Sequence, residues 1–185
     1  MGYLGGMAAP VHGGVEHLPG LRLPDLSLPS TAGRRVVLSN LTARTVLFVY
    51  PMTGRPGVPL PDDWDLIPGA RGCTPEACRF RDLHADFRAA DADVYGLSSQ
   101  STEYQREAVE RLNLPFALLA DERLQVAEAL RLPTFSAGGR RLYTRLTLVV
   151  RDGVIEHVFH PVPVPGEHAD HVLSWLIERP ERLEP

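Results

Sequence analysis

Lysine is absent from this chain: all 19 basic residues among its 185 are arginine. Its absence excludes Schiff-base chemistry, a phosphate-loop lysine and a lysine general base. A net charge of −4 and a pI near 6.0 leave no electrostatic footprint for nucleic acid. No apolar run approaches the roughly 20 residues of a membrane span; the longest, Val46 to Tyr50 among them, have five residues. Residues 1–21 hold neither Lys nor Arg, so the charged start of a secretory signal is missing. Neither nucleic acid nor a membrane is an expected partner, and a cytoplasmic setting is expected. What is present, 44% hydrophobic and 23% charged residues, suits a globular protein large enough for one full core.

Cysteine is nearly absent too, and the two that occur, Cys73 and Cys78, lie five residues apart. A bridge closing so short a loop would add little to the stability of a domain this large. In a reducing compartment a close pair is catalytic or metal-binding, or else two small core residues.

The strand and helix signals alternate. Residues 1–20 hold six glycines without periodicity and read as a flexible extension preceding a single domain over 21–179. A hairpin is expected over Leu23–Leu41, and Thr45–Tyr50 reads as a strand buried on both faces. Residues 51–68, with five Pro, two Gly and three Asp, form a long irregular loop. A helix runs from Thr74 to about Ala90, then a strand over Asp93–Ser98, a helix to Leu112, a strand over Phe116–Leu119 and a short helix over Glu122–Leu130. Arg145–Val150 and Val154–Phe159 are strands meeting at the Asp152-Gly153 turn. A last amphipathic helix spans about Glu167–Ile177. The class is α/β with a mixed sheet.

Helical geometry separates the cysteines. At about 100° per residue, Cys73 leads a stripe containing Ala77, Phe80, His84 and Phe87, whereas Cys78 falls about 140° away. In the first turn, free backbone N–H groups and the helix dipole favour a thiolate, so a lowered pKa is expected for Cys73. Arg71 is either a further source of positive charge or an exposed loop residue. Five helical residues place the two Cα atoms about 9 Å apart, beyond the limit of about 7 Å for a disulfide. Joining them requires the first turns to unwind.

Tyr50-Pro51 at a strand end, followed by Gly72-Cys73-Thr74-Pro75-Glu76-Ala77-Cys78-Arg79-Phe80-Arg81-Asp82, resembles the peroxiredoxins of the PrxQ, or bacterioferritin comigratory, type. The likeness covers about Leu23–Ile177 and includes Tyr95-Gly96-Leu97-Ser98 and the segment Arg145–Gly153. It implies a thioredoxin-like fold, a mixed central sheet flanked by helices with an N-terminal β-hairpin. It also implies thiol-dependent reduction of hydrogen peroxide and organic hydroperoxides, without metal or organic cofactor. By motif position Cys73 is the peroxide-attacking cysteine, Cys78 the resolving cysteine of an intramolecular disulfide, and Arg145 the arginine beside the thiolate. Gly72, Thr74 and Glu76 are candidate substrate contacts. Thioredoxin or a similar dithiol is the implied reductant, and a monomer or weak dimer the implied state. A thioredoxin itself would show Cys-x-x-Cys and a Thr-Pro before the late strand, and neither is present. A thiol–disulfide oxidoreductase or a peroxide-sensing relay or holdase on the same fold are the rival functions.

One departure stands out. The family places Pro seven residues and Thr or Ser three residues before the cysteine; here those positions are Leu66 and Ala70. About 15 extra residues separate Pro51 from Cys73, an insertion at about 54–69. Pro51 is the candidate for shielding the thiolate and Thr53 for supplying the hydroxyl, provided the insertion bulges out and returns. Trp64 is placed to pack over the site or onto a partner. His157 with His160, and His168 with His171, have spacings compatible with metal but common on surfaces. His84 is read as a core histidine, and Asp62, Asp63 and Asp65 as solvated.

Overall fold

The apolar run that ends at Tyr50 becomes the middle of the sheet. In the computed structural model, which describes residues 14–180, strand β3 (Arg44–Val49) is buried at every position. Its side chains alternate between two cores: Val46 and Phe48 face one, Leu47 and Val49 the other. A strand covered on both faces has no polar side to present, which is why its sequence is continuous rather than alternating. β4 (Ala92–Ser98) and β5 (Leu118–Ala120) extend the sheet in parallel on one side of β3. β8 (Leu146–Arg151) and β9 (Val154–Phe159) extend it antiparallel on the other, giving the order β5-β4-β3-β8-β9. The β8–β9 turn has positive φ at both Asp152 and Gly153, the conformation their residue types favour. An N-terminal hairpin joins β1 (Ser27–Pro29) to β2 (Arg35–Val37) as expected.

Helix α1 (Cys73–Asp82), α2 (His84–Ala89) and α5 (His168–Ile177) cover one face. Val109 and Leu112 of α3 (Thr102–Leu112) pack against the same core. α4 (Gln125–Leu130) and the N-terminal segments cover the other face. The single helix expected to Ala90 is two. The chain breaks at Leu83 (φ −97°, ψ 7°), which brings the Phe80 and Phe87 rings to 5.5 Å. A straight helix would separate residues seven apart by about 10.5 Å of rise.

Two other segments differ from expectation. Residues 1–13 of the expected extension lie outside the described residues, but its last part belongs to the domain. Leu18 is fully buried, Gly20 N–H bonds the Ile155 carbonyl at 2.8 Å, and His17 Nε2 sits 2.9 Å from the Leu130 carbonyl. Burial of Val15 and Leu18 anchors a stretch too glycine-rich to show periodicity. A hairpin not expected from the sequence joins β6 (Thr134–Ala137) to β7 (Arg140–Tyr143) through Gly138-Gly139. It holds the insertion in place. Trp64, Met52, Ala70, Ala137 and Leu142 form a third, small core, with Phe135 against the indole at 6.2 Å. No helix among the described residues is long and apolar enough to cross a membrane.

Candidate active site

The insertion does return to the strand end it left. Ser98 Oγ donates to the Pro51 carbonyl at 3.1 Å, fastening the end of β3 to that of β4. Gln100 grips Thr53 from both sides: its Oε1 accepts from Thr53 N–H at 2.9 Å, and its Nε2 donates to the Thr53 carbonyl at 3.1 Å. On the far side of the insertion, Gly72 turns the chain into α1 with φ 100°, a conformation open to glycine. A Cβ there would also lie 2.7 Å from Pro165 Cγ. Gly72 is therefore required by the turn and by the close approach of Pro165, whatever else it contacts.

Cys73 is the first residue of α1 and only 4% exposed. Its Sγ accepts from Arg145 Nη2 at 3.0 Å and lies 3.6 Å from the Ala70 carbonyl, to which the thiol donates. The Met52 backbone N–H, on the strand side, also favours the thiolate. Arg145, itself buried, gathers the whole site. Its Nη2 also donates to the Arg71 carbonyl at 3.0 Å, its Nε to the Gly69 carbonyl at 3.3 Å, and its Nη1 to Glu76 Oε2. One guanidinium thus holds the returning backbone, the sulfur and a carboxylate, a use of its planar fork that lysine could not match.

The expected lowering of the Cys73 pKa does not hold here. Burial pushes the thiol up, and the Glu76 charge adds to that; Arg145 and the Met52 N–H pull it back without overcoming the rise. Burial also raises Glu76 to about 7 against the opposing pull of Arg145. Helix position is local and legible in sequence; burial against α5 is not.

The other expected residues fall as follows. The Thr53 hydroxyl donates to Gln100 Oε1 at 3.2 Å and makes no hydrogen bond to Cys73 Sγ, contrary to expectation. Gln100 satisfies it first. Pro51 is buried beside Met52. Glu76 is wholly buried and bonded to Arg145, so it faces no open substrate site. Thr74 is half-buried. Arg71 is exposed and pairs with Asp65, so it is a loop residue. Leu66 is exposed and lines a groove with Pro161, Pro163 and Pro165. Cys78 is half-buried on the flank of α1. Next to it Arg79 forms a two-point ion pair with Asp170, at 2.7 and 2.5 Å, tying α1 to α5.

Neither histidine pair forms a metal cluster; among the described residues no three potential ligands gather. His157 stacks on Trp175 at 4.8 Å, and His84 is half-buried beside Phe116 rather than in the core. His168 is buried with Nε2 2.8 Å from Thr147 Oγ1, and burial together with the Arg145 charge pushes its pKa to about 4. Its folded pKa is depressed below the unfolded value of about 6.5, so the unfolded chain takes the proton first. Stability from His168 is complete above that value and is lost as pH falls toward 4. The stability difference between the wild type and His168→Gln should shrink by about 2–3 kcal/mol from pH 7 to 4.5. Urea unfolding of both at the two pH values measures it, with the variant serving to remove the opposite slope that Glu76 contributes.

Residues 18–173 match the redoxin family profile. The chain belongs to the redoxin family. Within it, this is a peroxiredoxin of the Q/Bcp type. It is 32% identical over 165 residues to peroxiredoxin Bcp of Escherichia coli, covering 84% of this chain and 92% of that one. It is 31% identical over 157 residues to the chloroplastic peroxiredoxin Q of Sedum lineare, covering 83% and 74%. Among solved structures, peroxidoxin BcpB from Mycobacterium tuberculosis superposes with a TM-score of 0.71 at 28% identity, covering 89% of this chain and all of that one. The peroxiredoxin fold is therefore thioredoxin-like, as expected. Gln100, Gln105 and Tyr50 form a buried network behind this site: Tyr50 Oη lies 3.0 Å from Gln105 Oε1, and Gln105 Nε2 donates to the Gln100 carbonyl at 2.8 Å. Two glutamines in polar stretches carry no signal in sequence that would have marked them.

Proposed function

We propose that this peroxiredoxin reduces hydrogen peroxide and organic hydroperoxides by a two-cysteine cycle, without metal or organic cofactor. The observation that carries the reading is the 3.0 Å contact between Arg145 Nη2 and the Cys73 sulfur at the start of α1. The Cys73 thiolate attacks the terminal peroxide oxygen; the O–O bond breaks, sulfur is oxidised to sulfenic acid, and the remaining oxygen leaves as water or an alcohol. Arg145 and the first-turn N–H groups stabilise the negative charge through the step. Cys78 then condenses with the sulfenic acid, releasing water and forming an intramolecular disulfide. Both cysteines stand on α1, so its first turns unwind for this step. Thioredoxin or a similar dithiol restores the thiols by exchange, with the protein acting as a monomer or weak dimer in the cytoplasm.

In this reading Pro51 and Thr53 are walls of the site. Both are buried next to Met52, whose N–H favours the thiolate, and the Thr53 hydroxyl is already bonded to Gln100. Gly72 shapes the entry to the helix, Thr74 leaves its N–H free in the first turn, and Glu76 acts through Arg145.

The test is Cys78→Ser. Without external thiols it should consume about one equivalent of peroxide per chain and stop, as sulfenic acid or its overoxidised products. The wild type with thioredoxin and its reductase should turn over continuously. A Cys78→Ser protein that fails to consume the first equivalent would reverse the roles of the two cysteines. One that turns over with thioredoxin at the wild-type rate would remove Cys78 from the cycle.

A further inference from the structure

Glu76 is a carboxylate in an unusual position for a soluble protein. It is wholly buried, one oxygen is bonded to Arg145, and the other, Oε1, has no partner. An ionised carboxylate left half-satisfied in the interior is costly. Its only cation among the described residues, Arg145, is the one that also holds Cys73.

The groups facing this cluster come from four elements. Cys73 lies on the same helix, Arg145 leads into β8, Tyr50 follows β3, and His168 stands at the start of α5. His168 has its Nε2 against Thr147 and is held uncharged at neutral pH, and the Tyr50 hydroxyl is pushed well above its ordinary pKa by burial. That leaves one fixed positive charge and two groups able to carry a negative one. If both ionised, the buried site would hold a net negative charge with no second cation, an arrangement disfavoured in a low-dielectric interior.

We propose that Glu76 and Cys73 hold a single proton between them across Arg145, and that this proton neutralises the oxygen leaving the peroxide by way of the guanidinium, Nη2 giving up a proton on the sulfur side as Nη1 takes one from Glu76. The proposal rests on the peroxidase reading of the site. In the reactive form Cys73 is the thiolate and Glu76 the neutral acid. Attack forms the S–O bond and breaks O–O: thiolate, carboxylic acid and hydroperoxide become sulfenic acid, carboxylate and alcohol or water. Sulfur loses two electrons and the peroxide oxygens gain them. The one negative charge beside Arg145 passes from sulfur to Glu76, so the buried charge is unchanged through the step and no outside proton is needed. Once Cys73 is a neutral sulfenic acid, Arg145 serves Glu76 alone.

The experiment compares two reactions of Cys73 in a Cys78→Ser background, with and without Glu76→Gln, across pH. Alkylation by iodoacetamide expels iodide and needs no proton; reaction with peroxide expels an oxygen that does. Glu76→Gln keeps a neutral partner for Arg145 and removes the competing acid. The midpoint of alkylation should fall by about one pH unit, a tenfold gain in thiolate below it. The peroxide rate per thiolate should fall tenfold or more while the alkylation rate per thiolate does not. A residue that merely positions Arg145 would move both rates together. An unchanged or raised midpoint, or parallel loss of both reactions, overturns the proposal. Should Glu76→Gln not fold, the wild type decides: infrared difference spectra on adding one equivalent of hydrogen peroxide should show loss of a protonated-carboxyl band, and no such loss overturns it. A wild type that consumes no peroxide would sink the peroxidase reading and the delivery of the proton. The alkylation midpoint would still decide whether the proton is shared.

Discussion

Cys73→Ser is expected to leave no measurable peroxide reduction. A serine hydroxyl is too weak an acid to ionise beside Arg145 as a thiol does, and neither Glu76 nor His168 hydrogen-bonds position 73 directly. The fold should survive, because the oxygen replaces a sulfur of similar shape and Arg145 retains its bonds to the Gly69, Ala70 and Arg71 carbonyls. Stability should hold, as Glu76 still faces the guanidinium. A coupled assay with thioredoxin and its reductase reads the outcome, and thermal unfolding confirms that the variant is folded. Residual turnover above about one part in a thousand of wild type would mean that another group reacts with peroxide.

Arg145→Leu carries the second large effect, on stability and rate together. It removes the only cation touching Glu76 and Cys73 among the described residues, and three hydrogen bonds to the backbone that closes the insertion. Breaking a buried pair from one side costs about 3–5 kcal/mol. Without Arg145, burial acts on the thiol with less to oppose it, so thiolate becomes scarcer, and charge stabilisation in the transition state is lost. A fall of about 10²–10³-fold in the rate of peroxide attack is expected. Adding Glu76→Leu to Arg145→Leu should restore part of the stability by removing the stranded carboxylate, without restoring activity. Denaturant unfolding of the two single variants and the double variant tests the coupling. Additive losses would mean that the buried pair is not the unit described.

Local patterns in the chain determined most of the sheet. The continuous apolar run before Tyr50 specified a strand covered on both faces, Asp152-Gly153 specified its hairpin, and Ser101 capped α3 by accepting from Tyr104 N–H. The motif around Cys73 and Cys78, with Arg145, is legible because it is contiguous or lies at a strand start, and by itself it points to the family. The hairpin through Gly138-Gly139 escaped notice because its strands are short and their burial is uneven, so no alternation stands out.

What only the tertiary structure decided is the electrostatic state of the site. Arg145 meets Cys73 and Glu76 across about 70 residues of chain, and the burial that drives the thiol upward comes from segments remote in sequence. The Thr53 hydroxyl was claimed by Gln100, 47 residues away, and not by the sulfur. Residue type and spacing fix backbone geometry because those forces act over a few residues. Charge and solvation act through space, so they depend on which distant segments the fold brings together. Here the fold brought two acids to one arginine.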